Sequence, residues 1–108
     1  MYQVFFTPTA KEMLQKIKNA NTRATILEKA RGLRENPEQQ GIALVSPLRG
    51  FRRIPAAGRY RVIYRVARTK VEVHIVAVGL RKKGDNKDIY ELAQKLVRMG
   101  LLEGKEKS

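Results

Sequence analysis

The hydrophobic periodicity of this chain changes near residue 50, and this change constrains the fold more than any other feature. Residues 10–33 repeat apolar side chains at three- and four-residue intervals, the spacing of a helical stripe. Residues 60–66 instead alternate between two sets of side chains, the spacing of a strand with two faces. The order of these segments predicts an α+β fold, in which helices and antiparallel strands form separate parts of the chain.

An N-terminal strand and a helical hairpin are predicted first. The strand over Val4–Phe6 ends at Thr7, a good helix N-cap, and Pro8 suits the first helical position because its missing N–H costs nothing there. A second helix, capped by Asn21, is expected to stop at Asn36-Pro37. The apolar positions expected to form one shared seam are Ala10, Met13, Leu14, Ile17, Ile26, Leu27, Ala30 and Leu33.

Three further strands follow a connecting loop over residues 37–50. They are predicted at Phe51–Pro55, Arg59–Ala67 and Val71–Val78. With the N-terminal strand they make a small, mainly antiparallel sheet of about four strands. We expect the helices to cover one face of this sheet and to leave the other face available.

The last predicted element is an amphipathic helix that starts near Ile89 and ends near Gly100. The spacing of Asp85, Asp88 and Glu91 fits capping of this helix better than binding of Mg²⁺. A chain of 108 residues buries one modest core. We therefore expect a single domain over residues 1–102, followed by a charged tail over residues 103–108.

Residue usage excludes several kinds of chemistry. The chain has no cysteine and one histidine, His74, so disulfides, thiolate nucleophiles, Cys-ligated zinc and His-rich metal sites are ruled out. We expect no metal and no cofactor. The N-terminus lacks a signal-peptide pattern and no apolar run reaches the ~18 residues of a membrane span. These features predict a cytoplasmic protein without a membrane partner.

The positive charge is concentrated in one part of the sequence. The chain carries 23 Lys and Arg against 10 Asp and Glu, a net charge of +13. Residues 46–83 hold eleven basic residues, eight of them Arg, and one acid, Glu72, so +10 of the excess lies on the predicted sheet. Because Arg binds phosphate with a planar fork of donors, the sheet is interpreted as an anion-binding face. The alternative is an ordinary solvated face.

Few aromatic residues accompany this charge. We expect Phe51, Tyr60, Tyr64 and Tyr90 to be the ones that meet the basic face, although strand aromatics such as Tyr60 and Tyr64 are more often core residues. Arg, Lys and Tyr suffice for one reaction on RNA, attack of the 2′-OH on the adjacent phosphate. That reaction needs a proton acceptor, a proton donor and stabilisation of phosphate charge, which arginine supplies.

The sequence resembles the RelE/ParE toxin superfamily of type II toxin–antitoxin modules over nearly the whole chain. The resemblance rests on five segments: Leu48-Arg49-Gly50, Phe51-Arg52-Arg53-Ile54, Gly58-Arg59-Tyr60-Arg61-Val62-Ile63-Tyr64, Val78-Gly79-Leu80-Arg81-Lys82 and Asp88-Ile89-Tyr90. It implies a ribosome-dependent mRNA endonuclease that cleaves the A-site codon and inhibits translation. It also implies a cognate antitoxin, with which the toxin can form a hetero-oligomer.

Position by position, the resemblance implies four catalytic residues. Arg61 matches the phosphate-stabilising arginine, Arg81 a second arginine, Tyr90 the C-terminal tyrosine with a base or stacking role, and Arg53 a basic residue of the preceding strand. Arg52 is an alternative for the last position, because a shift of one residue turns a strand side chain to the other face. The residues expected to bind RNA or the ribosome are Arg49, Arg52, Arg59, Arg65, Lys82 and Lys83.

Two departures from the family pattern bear on activity. Pro55 stands where many RelE-like chains have a second basic residue, and the segment from Arg81 to Tyr90 is longer than in the best-known members. Lys82 or Lys83 replaces the missing cation if that segment folds over the sheet. Each of three of these residues also has a purely structural interpretation. Arg61 is then a solvent-facing strand residue, Arg81 a charge at the end of the sheet, and Tyr90 a residue that packs the last helix onto the sheet. The alternative functions are a ParE-like toxin that inhibits DNA gyrase and a catalytically weak member.

Overall fold

The computed structural model describes residues 1–100 and Leu102, and it confirms the α+β architecture. The five strands form one mixed sheet of order β1-β5-β4-β3-β2, in which β1 is parallel to β5 and the other pairs are antiparallel. The predicted tail over residues 103–108 lies outside the described residues. The elements are β1 Gln3–Phe6, α1 Pro8–Gln15, α2 Ala20–Arg31, β2 Ile42–Ala43, β3 Arg52–Pro55, β4 Tyr60–Ala67, β5 Glu72–Leu80 and α3 Ile89–Arg98.

Local capping sets the helix starts. The hydroxyl of Thr7 accepts a hydrogen bond from the backbone N–H of Ala10, and Pro8 occupies the first turn of α1, as predicted. The prediction that Asn21 caps α2 is wrong. Asn19 is the cap, and its side chain accepts from the backbone N–H of Thr22. Both asparagines suit this role, and α2 begins two residues earlier than predicted.

Helices pack on both faces of the sheet, although Phe5 on the second face stays 45% exposed, so the prediction of one wholly available face is wrong. The hairpin of α1 and α2 packs on one face, called here the hairpin face, formed by Ile54, Val62, Tyr64, Val73 and Ile75. The start of α3 and the loop before β3 pack on the other, called here the α3 face, formed by Ile63, Val76, Ala77 and Gly79. Leu27, predicted in the hairpin seam, is instead 36% exposed.

A β-bulge changes the alternation of β5. The register passes from Ile63 opposite Ala77 to Tyr64 opposite Ile75, which leaves Val76 as an extra residue. Val76 and Ala77 consequently both belong to the core of the α3 face. The simple alternation read from the sequence did not include this step.

The sheet has five strands rather than about four. The additional strand β2 lies in the segment predicted to be a loop, and it pairs with Arg52 and Arg53 of β3. Gly41 precedes it with φ +67°, and a Cβ there would lie 2.1 Å from the carbonyl oxygen of Arg53. This close approach requires glycine. Within residues 1–100 and Leu102, no helix has the length and apolar character needed to cross a membrane.

Candidate functional site

Tyr90, in the first turn of α3, lies close to two arginines. The Cζ atom of Arg81 is 4.8 Å from the centroid of the Tyr90 ring, and that of Arg53 is 5.9 Å from it. Both distances fall within the ~6 Å over which a ring attracts a cation. The hydroxyl of Tyr90 is buried and has no hydrogen-bond partner among the described residues. Three predicted catalytic residues, Arg53, Arg81 and Tyr90, thus form one group, called here the Tyr90 cluster.

Asp88 anchors this cluster. It is 1% exposed and caps α3, and its Oδ2 accepts from the backbone N–H of Tyr90 at 3.0 Å. Its Oδ1 accepts from Nη1 of Arg81 at 2.8 Å and from the backbone N–H of Lys82. Burial alone would raise the pKa of Asp88, but these hydrogen bonds and the charge of Arg81 hold that pKa below its usual 3.8. The carboxylate is therefore ionised at neutral pH and fixes Arg81 beside the ring.

Arg61 shares the α3 face with the cluster but bonds elsewhere. It lies two residues before Ile63 on β4, and its register partners are Pro55 and Gly79. Its Nη1 donates to the carbonyl oxygens of Gly58 at 3.2 Å and Tyr60 at 3.0 Å. The hydrogen bonds therefore hold this guanidinium at the β3–β4 turn rather than against Tyr90.

Arg52 lies on the opposite, hairpin face of β3. Its guanidinium donates to the carbonyl oxygen of Gln40 at 3.0 and 3.2 Å, and its register partner is Tyr64. The hydroxyl of Tyr64 lies 2.8 Å from the carbonyl oxygens of Gln40 and Pro37. Burial raises the pKa of Tyr64 above 10.0, and the nearby Arg52 opposes this shift only in part. Of the two candidates left open by the sequence, Arg53 joins the Tyr90 cluster and Arg52 fastens the loop before β2.

The remaining predicted binding residues are dispersed. Arg49, Arg59 and Lys83 are exposed, each outside the strands and helices. Lys82 lines a cavity of about 490 Å³ between α1 and α3, and Arg65 lies on β4 two residues beyond Ile63. The concentrated positive charge is therefore divided between two faces and several turns.

The aromatic residues also differ from expectation. Phe51 is buried in the core of the α3 face, while Tyr60 and Tyr64 pack on the hairpin face, where Tyr64 lies beside Arg52. Of the four aromatic residues, Tyr90 is the one that meets Arg53 and Arg81. Phe5 was missed. It lies on β1 and is 45% exposed, with its ring against His74. The sequence carried a signal for this exposed ring. Strand alternation places Phe5 on the face opposite to Val4 and Phe6, and these two pack against the core of the hairpin face.

Gly79 is a second residue that the sequence did not single out. A Cβ on Gly79 would lie 2.8 Å from Cδ1 of Ile89, so glycine lets α3 approach β5 closely. This approach positions the helix turn that carries Tyr90. Within residues 1–100 and Leu102, no three His, Cys, Asp or Glu residues are grouped as a metal site would require.

The match to a family model identifies the chain as a toxin of a type II toxin–antitoxin system. The family model for the ParE toxin of the type II toxin-antitoxin system parDE matches residues 4–84. The chain belongs to this family, within the RelE/ParE superfamily. No curated protein sequence matches it.

Solved structures agree with this assignment. The chain is similar to one in the RelBE2 toxin–antitoxin complex from Mycobacterium tuberculosis, with 33% identity, a TM-score of 0.68, and coverage of 74% of this chain and 91% of that chain. The isolated E. coli RelE toxin gives 23% identity and a TM-score of 0.65, with coverage of 90% and 99%. A chain of the ParDE system from P. aeruginosa gives 18% identity and a TM-score of 0.62, with coverage of 74% and 96%. At these lower identities, RelE and ParDE support the fold alone.

Proposed function

We propose that this toxin is a ribosome-dependent endoribonuclease that cleaves A-site codons through the RNA 2′-OH. The observation that carries the proposal is the Tyr90 cluster, in which two guanidinium groups lie within about 6 Å of one phenol ring. Cleavage by the 2′-OH adds negative charge to the phosphate, and fixed cations stabilise such charge. Nothing in this chemistry requires a metal or a thiolate.

In this proposal the cluster divides the work between its members. Arg81, held by Asp88, meets the phosphate from a preset position, and Arg53 supplies a second cation from β3. Arg61 is recruited from the β3–β4 turn, where its hydrogen bonds to carbonyl oxygens are replaced by stronger ones to phosphate. The 2′ oxygen forms a bond to phosphorus while the bond from phosphorus to the 5′ oxygen breaks, and the Tyr90 hydroxyl, without a hydrogen-bond partner among the described residues, either takes the 2′-OH proton or gives a proton to the leaving 5′ oxygen.

The test is cleavage by purified toxin on ribosomes programmed with a defined mRNA, mapped by primer extension. We expect Arg81→Ala and Tyr90→Phe each to lower the cleavage rate by at least about 100-fold, the usual scale for loss of one stabilising or proton-transfer group. The matched control is Arg31→Ala on α2. It removes the same charge from a side chain that is 58% exposed. Equal loss in Arg31→Ala would attribute the effect to net charge, and intact mRNA during growth arrest would overturn the proposal.

A second candidate is a ParE-like toxin that inhibits DNA gyrase without cutting RNA. It is favoured by the match to the ParE family model. Supercoiling by purified gyrase distinguishes the two functions: inhibition with intact mRNA supports this candidate, whereas codon-positioned cuts with unaffected gyrase support the first. A catalytically weak member would produce neither effect and no growth arrest.

We further propose a cognate antitoxin as partner, because solved relatives of the chain include toxin–antitoxin complexes such as RelBE2. An acidic or amphipathic segment complements the charge of +13. Copurification of this toxin with the product of a neighbouring reading frame, followed by mass measurement of the complex, tests the pairing and its stoichiometry. A toxin that purifies alone after coexpression contradicts it.

A further inference from the structure

A second group of side chains on the α3 face lies outside the Tyr90 cluster. Phe5, His74 and Arg65 form one row across β1, β5 and β4, because His74 is the register partner of both Phe5 and Arg65. The rings of Phe5 and His74 are 6.0 Å apart and meet edge to face at 81°. Since neighbouring strands are about 4.8 Å apart, the row spans about 10 Å.

Phe5 presents an open aromatic surface at the end of this row. It is 45% exposed, although Val4 and Phe6 on either side pack into the core of the hairpin face. The Tyr90 ring, by contrast, has guanidinium groups over it. An exposed ring on an edge strand gains little for folding, but a flat partner can cover it by stacking.

Arg65 gives the other end of the row a positive charge. Its Nε is buried without a hydrogen-bond partner among the described residues. Arg65 also lines a cavity of about 360 Å³ with Arg68 and Lys70 at the β4–β5 turn. Glu38 pairs with Arg68 and Glu72 with His74, which leaves Arg65 and Lys70 without an ion pair among residues 1–100 and Leu102.

We propose that the Phe5–His74–Arg65 row is a stacking subsite for a base of single-stranded RNA, with the adjoining phosphate held by Arg65 and Lys70. An aromatic ring and a basic cavity at opposite ends of a row about 10 Å long supply the two features, stacking and positive charge, by which proteins bind single strands without reading their sequence. The row lies close to the Tyr90 cluster. Its member Arg65 is two residues beyond Ile63 on β4, and Ile63 is the register partner of Arg53 in that cluster. The inference rests on the proposed function only for the identity of the anion as RNA.

The absence of tryptophan from the sequence allows a direct test. Phe5→Trp places one reporter at the subsite, and Leu27→Trp places one on the exposed side of α2 as the matched control. We expect a single-stranded RNA dodecamer to quench the fluorescence of Phe5→Trp saturably, and to leave that of Leu27→Trp nearly unchanged. Inorganic polyphosphate should not quench either protein, because it has no base. Equal quenching by polyphosphate and RNA would overturn stacking.

Binding affinities provide a second, independent measurement. Phe5→Ala should weaken binding of the dodecamer by about 5- to 150-fold, the usual effect of losing one stacked base. Phe5→Leu keeps the apolar bulk but not the aromatic ring, and it should weaken binding nearly as much. Wild-type RNA affinity in Phe5→Leu would overturn the proposal, and if its antitoxin affinity fell instead, the row would be a protein contact. Circular dichroism verifies that each variant is folded.

This experiment can fail independently of the proposed function because it uses free RNA and no ribosomes. Quenching at position 5 without codon cleavage supports the subsite and contradicts the nuclease. Cleavage without quenching or loss of affinity contradicts the subsite and leaves the nuclease supported.

Discussion

Replacing Asp88 tests whether one buried carboxylate holds the candidate site together. Asp88→Ala removes the cap of α3, which is generally worth about 0.5–2 kcal/mol, and a hydrogen bond to a charged group, worth about 1.5–3 kcal/mol. Arg81 remains 34% exposed, so water can reach it after the change and the lower half of the second range applies. We expect the free energy of unfolding to fall by about 2–4 kcal/mol.

The assay is urea denaturation of Asp88→Ala, Asp88→Asn and the control Asp85→Ala. Asp88→Asn retains one acceptor oxygen and should lose about 1–2 kcal/mol, since it lacks the charge that pairs with Arg81. Among the described residues, the carboxylate of Asp85 accepts only from the backbone N–H of Lys87 at an exposed position, so its change should cost about 0.5 kcal/mol or less. If Asp88→Ala is no more destabilising than Asp85→Ala, the anchoring role is wrong.

The same carboxylate makes a pH prediction with a definite sign. Because the pKa of Asp88 is lower in the folded protein than its usual 3.8, its contribution to stability is fully present above that value. The contribution should be lost as the pH falls from about 4 through the folded-state pKa. Unfolding curves between pH 2 and 7 should therefore show a smaller acid loss in Asp88→Asn than in the wild type, and parallel curves would contradict the assignment.

Three further changes test the packing on the two faces of the sheet. Gly79→Val should lower the free energy of unfolding by about 1–3 kcal/mol in urea denaturation, because its side chain collides with Ile89; unchanged stability would refute the close approach. Tyr64→Phe should lower the free energy of unfolding by about 1–2 kcal/mol. It should also reduce the loss of stability above pH 10, because the pKa of Tyr64 is raised in the folded protein and its contribution is lost as the phenol ionises. The same loss of stability above pH 10 in Tyr64→Phe and wild type would contradict this. Ile26→Ala should cost about 2–5 kcal/mol and the neighbouring Leu27→Ala about 1 kcal/mol or less by thermal denaturation, because Ile26 is fully buried and Leu27 is 36% exposed; equal costs would place the wrong face of α2 against the sheet.

Local sequence patterns were enough to predict most of the secondary structure. Thr7-Pro8 set the start of α1, and the alternation from Tyr60 to Val66 identified β4, because capping and strand periodicity act over a few residues. The strand β2 escaped notice because it has two residues and depends on pairing with β3. Coverage of the second face escaped notice because the α3 helix packs there through Gly79, a contact between residues that no periodicity links.

The candidate site divides in the same way. By itself the sequence determined an arginine-rich α+β protein with a cap of the last helix among Asp85, Asp88 and Glu91, since these depend on composition, spacing and local hydrogen bonds. Its short motifs, in their order, gave the resemblance to this toxin superfamily. Only the tertiary structure decided that Arg53 rather than Arg52 meets Tyr90, because strand register turns neighbouring side chains to opposite faces. It also decided that Asp88 holds Arg81, and that Phe5 lies beside His74. Those contacts join β1, β5 and α3, and their geometry is set by how the elements pack against one another.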